Sequence, residues 1–281
     1  MKKSSFVITI LSCFFLLTLA VNHCFSGEGK LYIVGMGPAG PDLITQRAIT
    51  VLKKADIILC SPGIQNRFRT YVRPDKVAFN PWEGIHGEKA EKLRKTNRQE
   101  WLNRIKERRR FVQNFIVRKI QKGKIIAMLD GGDPCIYGPS LYWLLKGFDA
   151  RNFEIIPGIS AFNAAGAALK RPMTGNGARF VMLTSPFSLF GDHHKDSDDI
   201  LKDLSKYDIT MVFYMALRSM DKLVKEFKRY YPPDLPIAVV YYAGYREKQK
   251  VLRSTLGNIL DDLKKVHEKW LGLVVIGNSV K

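Results

Sequence analysis

The chain has 281 residues, of which 46% are hydrophobic, and its 45 Lys and Arg outnumber 26 Asp and Glu for a net charge of +19. This length can bury one large core or two modest ones. Four cysteines without a C-x-x-C spacing exclude a disulfide framework and a cysteine metal motif, so we expect no metal site.

The first 26 residues have the pattern of a signal peptide or a membrane anchor. Lys2 and Lys3 precede an uncharged apolar run from Phe6 to Ala20, which is short for a membrane span. A polar exit at Asn22 and His23 favours a cleaved signal and export to the periplasm. A retained segment would make the protein membrane-associated, and a non-functional one would leave it in the cytoplasm.

Removal of this segment leaves 43 basic against 26 acidic residues, a charge of about +17. Such a surface favours polyanions, which include nucleic acid, anionic lipid and a polycarboxylate substrate.

The first predicted elements form a β-turn-α-β unit. A strand over Lys30–Val34 is followed by a helix over Asp42–Lys54, and a second strand covers Ile57–Cys60. This order predicts a parallel sheet.

A strongly basic segment follows, with fourteen Lys or Arg against three Glu between Lys89 and Lys124. Its apolar residues recur at steps of three and four, which predicts one or two amphipathic helices with a basic outer face. A solvated helical face is the simpler interpretation, and a surface that contacts an anion or a membrane is the alternative.

The remaining elements continue the alternation of strands and helices. Further strands are predicted over Ile125–Leu129, through Ile155 and Ile156, and over Phe180–Thr184, Thr210–Met215, Ile237–Tyr242 and Gly272–Ile276. Helices are predicted over Ser219–Tyr230 and Leu256–Trp270. The loop "RPMTGNGAR" is interpreted as a hinge, so we predict two α/β domains, 27–174 and 175–281. His193 and His194 lie in an acidic stretch that is interpreted as a solvated loop.

The turn after the first strand contains G-x-G-x-x-G at Gly35, Gly37 and Gly40, the dinucleotide fingerprint. Its fit to NAD is poor, because the second strand ends without the acidic residue that holds a ribose. Pro38 and Pro41 also remove N–H donors that a pyrophosphate would use. No Walker lysine follows this turn or the later glycine-rich turn, which argues against nucleoside triphosphate chemistry.

Five segments, in order, resemble the tetrapyrrole methylases, which transfer a methyl group from S-adenosylmethionine to carbons of precorrin- or uroporphyrinogen-type rings. The segments are "VGMGPAGPDLIT", "GGDPCIYG", "IIPGISAFNAA", "VFYMALRSMDKLV" and "PIAVVYYAGYREKQKVLRSTLGNI". The second is the most specific, and together they span nearly the whole chain after the leader. The departures are Ala39 where the family usually has glycine, Gly40 where it often has aspartate, Ser254 in place of a common glycine, and the leader itself.

The resemblance implies an S-adenosylmethionine-dependent C-methyltransferase, usually a homodimer, with the active site in the cleft between the two α/β domains. It assigns cofactor contacts to Pro38, Gly131, Gly132, Asp133, Ile136, Ser160, Ala161, Met215, and Ala243 or Gly244. An activated sulfonium methyl needs alignment more than a strong base, so no catalytic residue is assigned. Candidates for contacts with the carboxylates of an anionic tetrapyrrole are Arg67, Arg69, Arg171, Arg179 and Arg246.

Three alternatives remain open, of which one is a protein-modifying role like that of diphthine synthase, to which the second turn is less similar. The leader and the altered first turn favour an exported, methylase-derived protein that binds a tetrapyrrole or another anion without catalysis. The positive charge favours a nucleic-acid binder of the same fold, but the basic segment lacks an aromatic stacking series. We therefore expect no nucleic-acid partner.

Overall fold

The structure is a computed structural model that describes residues 29–138, 140–144, 148–175, 177–191, 196–268 and 270–281. The predicted leader, residues 1–26, and the histidines at 193 and 194 lie outside the described residues.

The first half of the chain forms a five-stranded parallel sheet. Its strands are β1 (Lys30–Gly35), β2 (Ile57–Leu59), β3 (Val77–Phe79), β4 (Ile125–Asp130) and β5 (Phe153–Ile156). They are ordered β3-β2-β4-β1-β5, and each neighbouring pair is parallel. The strands predicted in this half are confirmed, whereas the three-residue edge strand β3 was not predicted.

Within the described residues, six helices connect these strands. They are α1 (Gln46–Lys54), α2 (Pro62–Arg67), α3 (Glu88–Thr96), α4 (Arg98–Ile120), α5 (Pro134–Tyr137) and α6 (Leu141–Leu144). Helix α1 begins later than the predicted Asp42 because Pro41–Leu43 forms a separate 3₁₀ turn and Thr45 caps the helix, accepting from the Ala48 N–H at 3.1 Å.

The basic segment forms two helices rather than one. Asn97 has non-helical backbone angles, φ −146° and ψ 82°, and its side chain accepts the Glu100 N–H at 3.1 Å. This cap ends α3 and starts α4 at a single residue. The buried side of α4 places Val112 and Ile116 against β1 and β4. Most of its cationic residues are exposed, whereas Arg108, Arg109 and Lys119 are half-buried.

The second half forms a mixed five-stranded sheet. Its strands are β6 (Phe180–Thr184), β7 (Ile209–Phe213), β8 (Pro236–Tyr241), β9 (Lys250–Thr255) and β10 (Gly272–Ile276). The order is β6-β7-β10-β8-β9, in which only the β6–β7 pair is parallel. Its helices are α7 (Ala161–Leu169), α8 (Pro186–Phe190), α9 (Ser197–Leu204), α10 (Met220–Phe227) and α11 (Ile259–Lys264).

Helix α7 precedes β6 but packs on the second sheet. Ala164, Ala165 and Leu169 share a buried cluster with Val212 and Val240 of that sheet. The small side chains of α7 permit this close approach of helix to sheet. By packing, α7 groups with the second half, and the division of the chain after residue 174 stays a prediction.

Three backbone turns meet at the carboxyl edge of the first sheet. Gly37 and Gly132 exchange two backbone hydrogen bonds, of 3.2 and 2.8 Å. A Cβ on Gly35 would lie 2.6 Å from the Gly158 nitrogen, and a Cβ on Gly158 would overlap the Gly132 carbonyl oxygen. Only residues without a side chain fit at Gly35 and Gly158, which explains these glycines of the first and third motifs.

Two possible features are absent from the part of the chain that the structure describes. None of its helices combines the length and the apolar character needed to cross a membrane. No cluster of three or more His, Cys, Asp or Glu suited to a metal ion occurs in these ranges either.

The crowding of the three turns makes Gly158 sensitive to a single added methyl group. Gly158→Ala is expected to lower the free energy of unfolding by about 1–3 kcal/mol, because overlap with backbone atoms cannot be relieved by a rotamer change. Gly63→Ala is the matched control, since nothing lies within 4 Å of a Cβ there. Urea unfolding of both variants checks this, and equal stability of the two would contradict the packing of the turns.

Candidate active site

A cavity of about 380 Å³ lies between the first turn and one edge of the second sheet. Most of the lining residues lie at or just after the ends of β7 and β8 or around the start of the antiparallel β10, and these ends share one edge of the sheet. Pro38 of the first turn and Ala161 of α7 complete the wall. The lining residues are Pro38, Ala161, Tyr214, Met215, Leu217, Arg218, Val240, Tyr242, Ala243, Tyr245, Trp270, Leu271, Gly272 and Leu273. This volume and the mainly apolar lining are typical of a small-molecule site.

Three residues of the cavity wall have strained backbone. Met215, Tyr242 and Leu271 have φ values of 56°, 50° and 51°, a left-handed conformation that side chains disfavour. Among the described residues only one other non-glycine, Lys170, has positive φ. The Tyr242 N–H donates to the Leu271 carbonyl at 2.8 Å and so links two of the strained positions. Strain concentrated in this way is a mark of functional sites.

Aromatic rings and one cation give the cavity its polar features. The Arg218 guanidinium carbon lies 3.5 Å from the centroid of the Trp270 ring, a cation–π contact. Within the described ranges, Arg218 has no carboxylate at ion-pair distance. Burial raises the pKa of the Tyr214 hydroxyl above its usual range.

Four of the predicted cofactor residues line the cavity: Pro38, Ala161, Met215 and Ala243. Ser160 is the capping residue of α7, and its hydroxyl accepts the Phe162 N–H at 3.0 Å. The same hydroxyl lies 3.4 Å from that of Tyr214. Ser160 therefore does not line the cavity itself but contacts Tyr214, which does.

The second glycine-rich turn borders the cavity without lining it. Asp133 caps α5 by accepting the Cys135 N–H at 2.8 Å, and the side chain of Ile136 is exposed. The neighbouring Tyr137 stacks on Tyr214, with centroids 5.2 Å apart and an angle of 7°. Gly131 and Gly132 lie at the junction with the first turn. This turn thus reaches the cavity through the two tyrosine rings.

Gly244 lies at the contact between the two halves rather than on the cavity wall. A Cβ there would lie 2.8 Å from Leu43 Cδ1 and 3.3 Å from Ala39 Cβ, and its φ is +88°. Its N–H already donates to Gln249 Oε1 at 2.8 Å. Ala39, which stands in the first turn where the family usually has glycine, is fully buried and packs against Gly244.

The candidate arginines divide into two groups. Arg67 donates to the Tyr245 hydroxyl, and Arg246 Nε lies 3.0 Å from Asp42 Oδ2, so both link the halves beside the cavity. The other three are exposed and do not line it: Arg69, Arg171 and Arg179.

Sequence reasoning missed Trp270, Arg218 and Asp130. Trp270 was placed at the end of a helix over Leu256–Trp270, which is wrong: α11 ends at Lys264 and the chain then turns toward the cavity. Arg218 lies within the fourth motif, shortly after the end of a predicted strand. A cation at that position could have been predicted to face the site.

Asp130 is a buried carboxyl group at the carboxyl end of β4. Its Oδ1 accepts the Ser140 hydroxyl at 2.6 Å, and its Oδ2 has no hydrogen-bond partner among the described residues. Burial raises the pKa of Asp130 to about 6, against the opposing effect of the Ser140 hydrogen bond. The carboxyl group is therefore mostly ionised at neutral pH. Because the ionised form is buried, this lowers the free energy of unfolding of the protein.

Comparison with known proteins agrees with this geometry. Residues 30–260 match the family Tetrapyrrole (Corrin/Porphyrin) Methylases. The chain is 29% identical to a uroporphyrinogen-III C-methyltransferase of Methanocaldococcus jannaschii over 90% of this chain and 97% of that protein. It is 30% identical to the cobalt-precorrin-4 C(11)-methyltransferase of the same organism, over 88% of this chain and 87% of that protein. The solved structure of uroporphyrin-III C-methyltransferase from Thermus thermophilus, complexed with S-adenosylhomocysteine, superposes with a TM-score of 0.62 at 22% identity, over 90% of this chain and 99% of that one.

The fold and the cavity at the strand ends define a small-molecule enzyme of mixed α/β architecture. The chain belongs to the tetrapyrrole methylase family. The expected enzyme class, a methyltransferase that uses S-adenosylmethionine, is confirmed at the level of the family, as is the predicted α/β fold class.

The raised pKa of Asp130 predicts a specific pH dependence of stability. The folded chain binds this proton more tightly than the unfolded one, so stability falls as pH rises from about 4 to about 6 and is level above. The effect amounts to about 3 kcal/mol. Asp130→Asn removes this titrating group. The free energy of unfolding of the variant minus that of the native chain is therefore expected to increase by about 3 kcal/mol as pH rises from about 4 to about 6.

Urea unfolding at pH 4, 5, 6 and 7.5 measures the difference between the two proteins. The control is Asp149→Asn, because hydrogen bonds from Arg151 lower the pKa of Asp149 to about 2. The contribution of Asp149 has the opposite sign and is lost as pH falls below about 4. A difference between Asp130→Asn and the native chain that stays constant from pH 4 to 6 would contradict the assignment.

Proposed function

We propose that this protein methylates a ring carbon of a uroporphyrinogen- or precorrin-type tetrapyrrole, with S-adenosylmethionine held in the cavity between the two halves. The observation that carries the proposal is the placement of three left-handed residues, Met215, Tyr242 and Leu271, around one cavity. The relatives that support this substrate class act on uroporphyrinogen III and cobalt-precorrin-4 according to their names.

The residues present fit a flat, mainly apolar donor with a few polar groups. Small side chains at Ala161 and Ala243 leave room along the wall, and Met215 and Leu271 present exposed side chains to the space. When bound, S-adenosylmethionine supplies a methyl group that is already activated on a sulfonium. The role of the protein is then to align donor and acceptor and to exclude water, effects of roughly 7–11 kcal/mol in intramolecular reactions.

Cations beside the cavity suit an acceptor that carries several carboxylates. Arg218 on Trp270 and Arg67 at Tyr245 are fixed by aromatic partners at neighbouring points of the wall. Arg246 is exposed on the outer side of the junction, where it forms an ion pair with Asp42. The net charge of +19 further favours a polyanionic substrate. The homodimer implied by the family stays a prediction.

A methyl-transfer assay tests the proposed reaction. The full-length protein is incubated anaerobically with methyl-labelled S-adenosylmethionine and either uroporphyrinogen III or cobalt-precorrin-4. Label is expected in the tetrapyrrole fraction with one of the two and not without an acceptor. Absence of label with both, while the protein binds S-adenosylhomocysteine, would reject catalysis on this substrate class.

The strained position Met215 separates a role in binding from a role in stability. Met215→Gly relieves the left-handed strain, so the free energy of unfolding is expected to rise by about 1 kcal/mol. The same change removes a side chain from the cavity wall and should weaken binding of S-adenosylhomocysteine by roughly tenfold, or about 1.4 kcal/mol.

Lys170→Gly is the matched control for this variant. Lys170 has φ 55° at the end of α7 and does not line the cavity. It should gain stability like Met215→Gly and keep the native affinity in titration calorimetry. Native affinity of Met215→Gly, or an equal loss in both variants, would show that the cavity is not the cofactor site.

A further inference from the structure

One edge of the first sheet lies opposite the candidate active site. In a parallel sheet all strands begin at one edge and end at the other, and the turns of the site follow the carboxyl ends of β1 and β4. The segments that lead into β1–β5 therefore share the amino edge. They are residue 30 and residues 53–56, 73–76, 118–124 and 149–154.

These segments, here called the basic edge, carry ten Lys or Arg and four Asp or Glu. All four acidic residues lie in ion pairs, three of 2.7–2.8 Å and one of 3.6 Å, formed by Lys30–Glu154, Arg73–Asp75, Arg151–Asp149 and Lys124–Asp56. Six cations of these segments are in none of the described ion pairs: Lys53, Lys54, Lys76, Arg118, Lys119 and Lys122. The edge thus has an excess of positive charge that the described residues do not neutralise.

The chain enters the fold at this edge. Gly29 lies against the backbone of Ile120 at the end of α4, since a Cβ on Gly29 would overlap the Ile120 carbonyl oxygen. The next residue, Lys30, donates its N–H to the Lys124 carbonyl at 3.2 Å. Gly29 therefore lies at the 118–124 segment of the basic edge.

The sequence before Gly29 carries an apolar run close to this residue. The run from Phe6 to Ala20 has no charge, and residues 21–28 between it and Gly29 contain one, Glu28. Eight residues reach at most about 30 Å when fully extended. Any bilayer that holds the apolar run therefore lies within that distance of the basic edge.

We propose that the leader is retained, which is the membrane-associated outcome set out for it above, and that the basic edge binds the surface of an anionic phospholipid bilayer while the apolar run holds the chain to the same bilayer. Lys and Arg near an anionic membrane each contribute to binding, and this attraction is lost beyond a Debye length. An anionic lipid surface, rather than nucleic acid, is favoured because only eight residues separate an uncharged apolar run from Gly29 at the edge. The cavity at the carboxyl edge then faces away from the lipid, where a dissolved tetrapyrrole can reach it.

The test uses the full-length chain and vesicles of two compositions, phosphatidylcholine alone and phosphatidylcholine with 30% phosphatidylglycerol. Arg118→Glu/Lys122→Glu changes two exposed cations of the basic edge. Lys225→Glu/Lys228→Glu is the control, with the same change in net charge on exposed positions of the second half. Flotation measures the partition coefficients in 0.1 M and 0.5 M salt, and binding of S-adenosylhomocysteine checks that each variant is folded.

The basic-edge variant is expected to lose at least roughly tenfold in partition to the anionic vesicles in 0.1 M salt, because two attractive charges become repulsive. Its partition to neutral vesicles should equal that of the native chain, and the control variant should retain native binding to both. High salt should remove most of the difference.

Three results would overturn the proposal. One is equal binding of the native chain to neutral and anionic vesicles, and another is an equal loss in the control variant. The third is native vesicle binding by the basic-edge variant together with weakened binding of a 20-base-pair duplex, which would assign the edge to nucleic acid. None of these outcomes depends on whether the chain methylates a tetrapyrrole.

Discussion

The close approach of three backbone turns at the carboxyl edge of the first sheet is the constraint on which the site depends. Gly37 and Gly132 pair through two backbone hydrogen bonds, and Gly35 and Gly158 lie so close that neither can carry a side chain. This contact fixes the first turn relative to the second and third. Pro38, which lines the cavity, is held in place by that arrangement.

The second sheet supplies the other wall through strand ends that hold unfavourable backbone angles. Left-handed residues after β7 and β8 and before β10 turn their side chains toward one space. Contacts that cross between the halves, such as Arg246–Asp42 and the packing of Gly244 on Ala39, keep this wall against the first turn. A rigid, strained wall suits an enzyme whose main task is alignment.

The sequence was most informative where hydrophobic runs coincide with strands. The bounds of Phe180–Thr184 and Gly272–Ile276 agree with the structure, because long apolar runs between turns leave little choice of element. The edge strand β9 was missed, since its sequence is polar and charged and its pairing with β8 is decided by the hairpin. The helix over Leu256–Trp270 was overestimated because packing of Trp270 and Leu271 at the cavity overrides local periodicity.

The candidate site was predictable only in part, because some of its residues are brought together by tertiary contacts rather than by local sequence pattern. Motifs in the sequence led to Pro38, Ala161, Met215 and Ala243, which share the cavity. Trp270 lines the cavity because the preceding helix ends early, at Lys264. The burial of Asp130 follows from the packing around β4 and Ser140. No spacing in the sequence encodes either contact.

The most direct test of the central claim is a crystal structure of the full-length protein with S-adenosylhomocysteine. The account predicts density for the ligand in the 380 Å³ cavity, in contact with Met215 and Ala243, without a change in the left-handed backbone at Met215, Tyr242 and Leu271. Density at another site, or a ligand-bound protein in which these three residues have ordinary backbone angles, would contradict it.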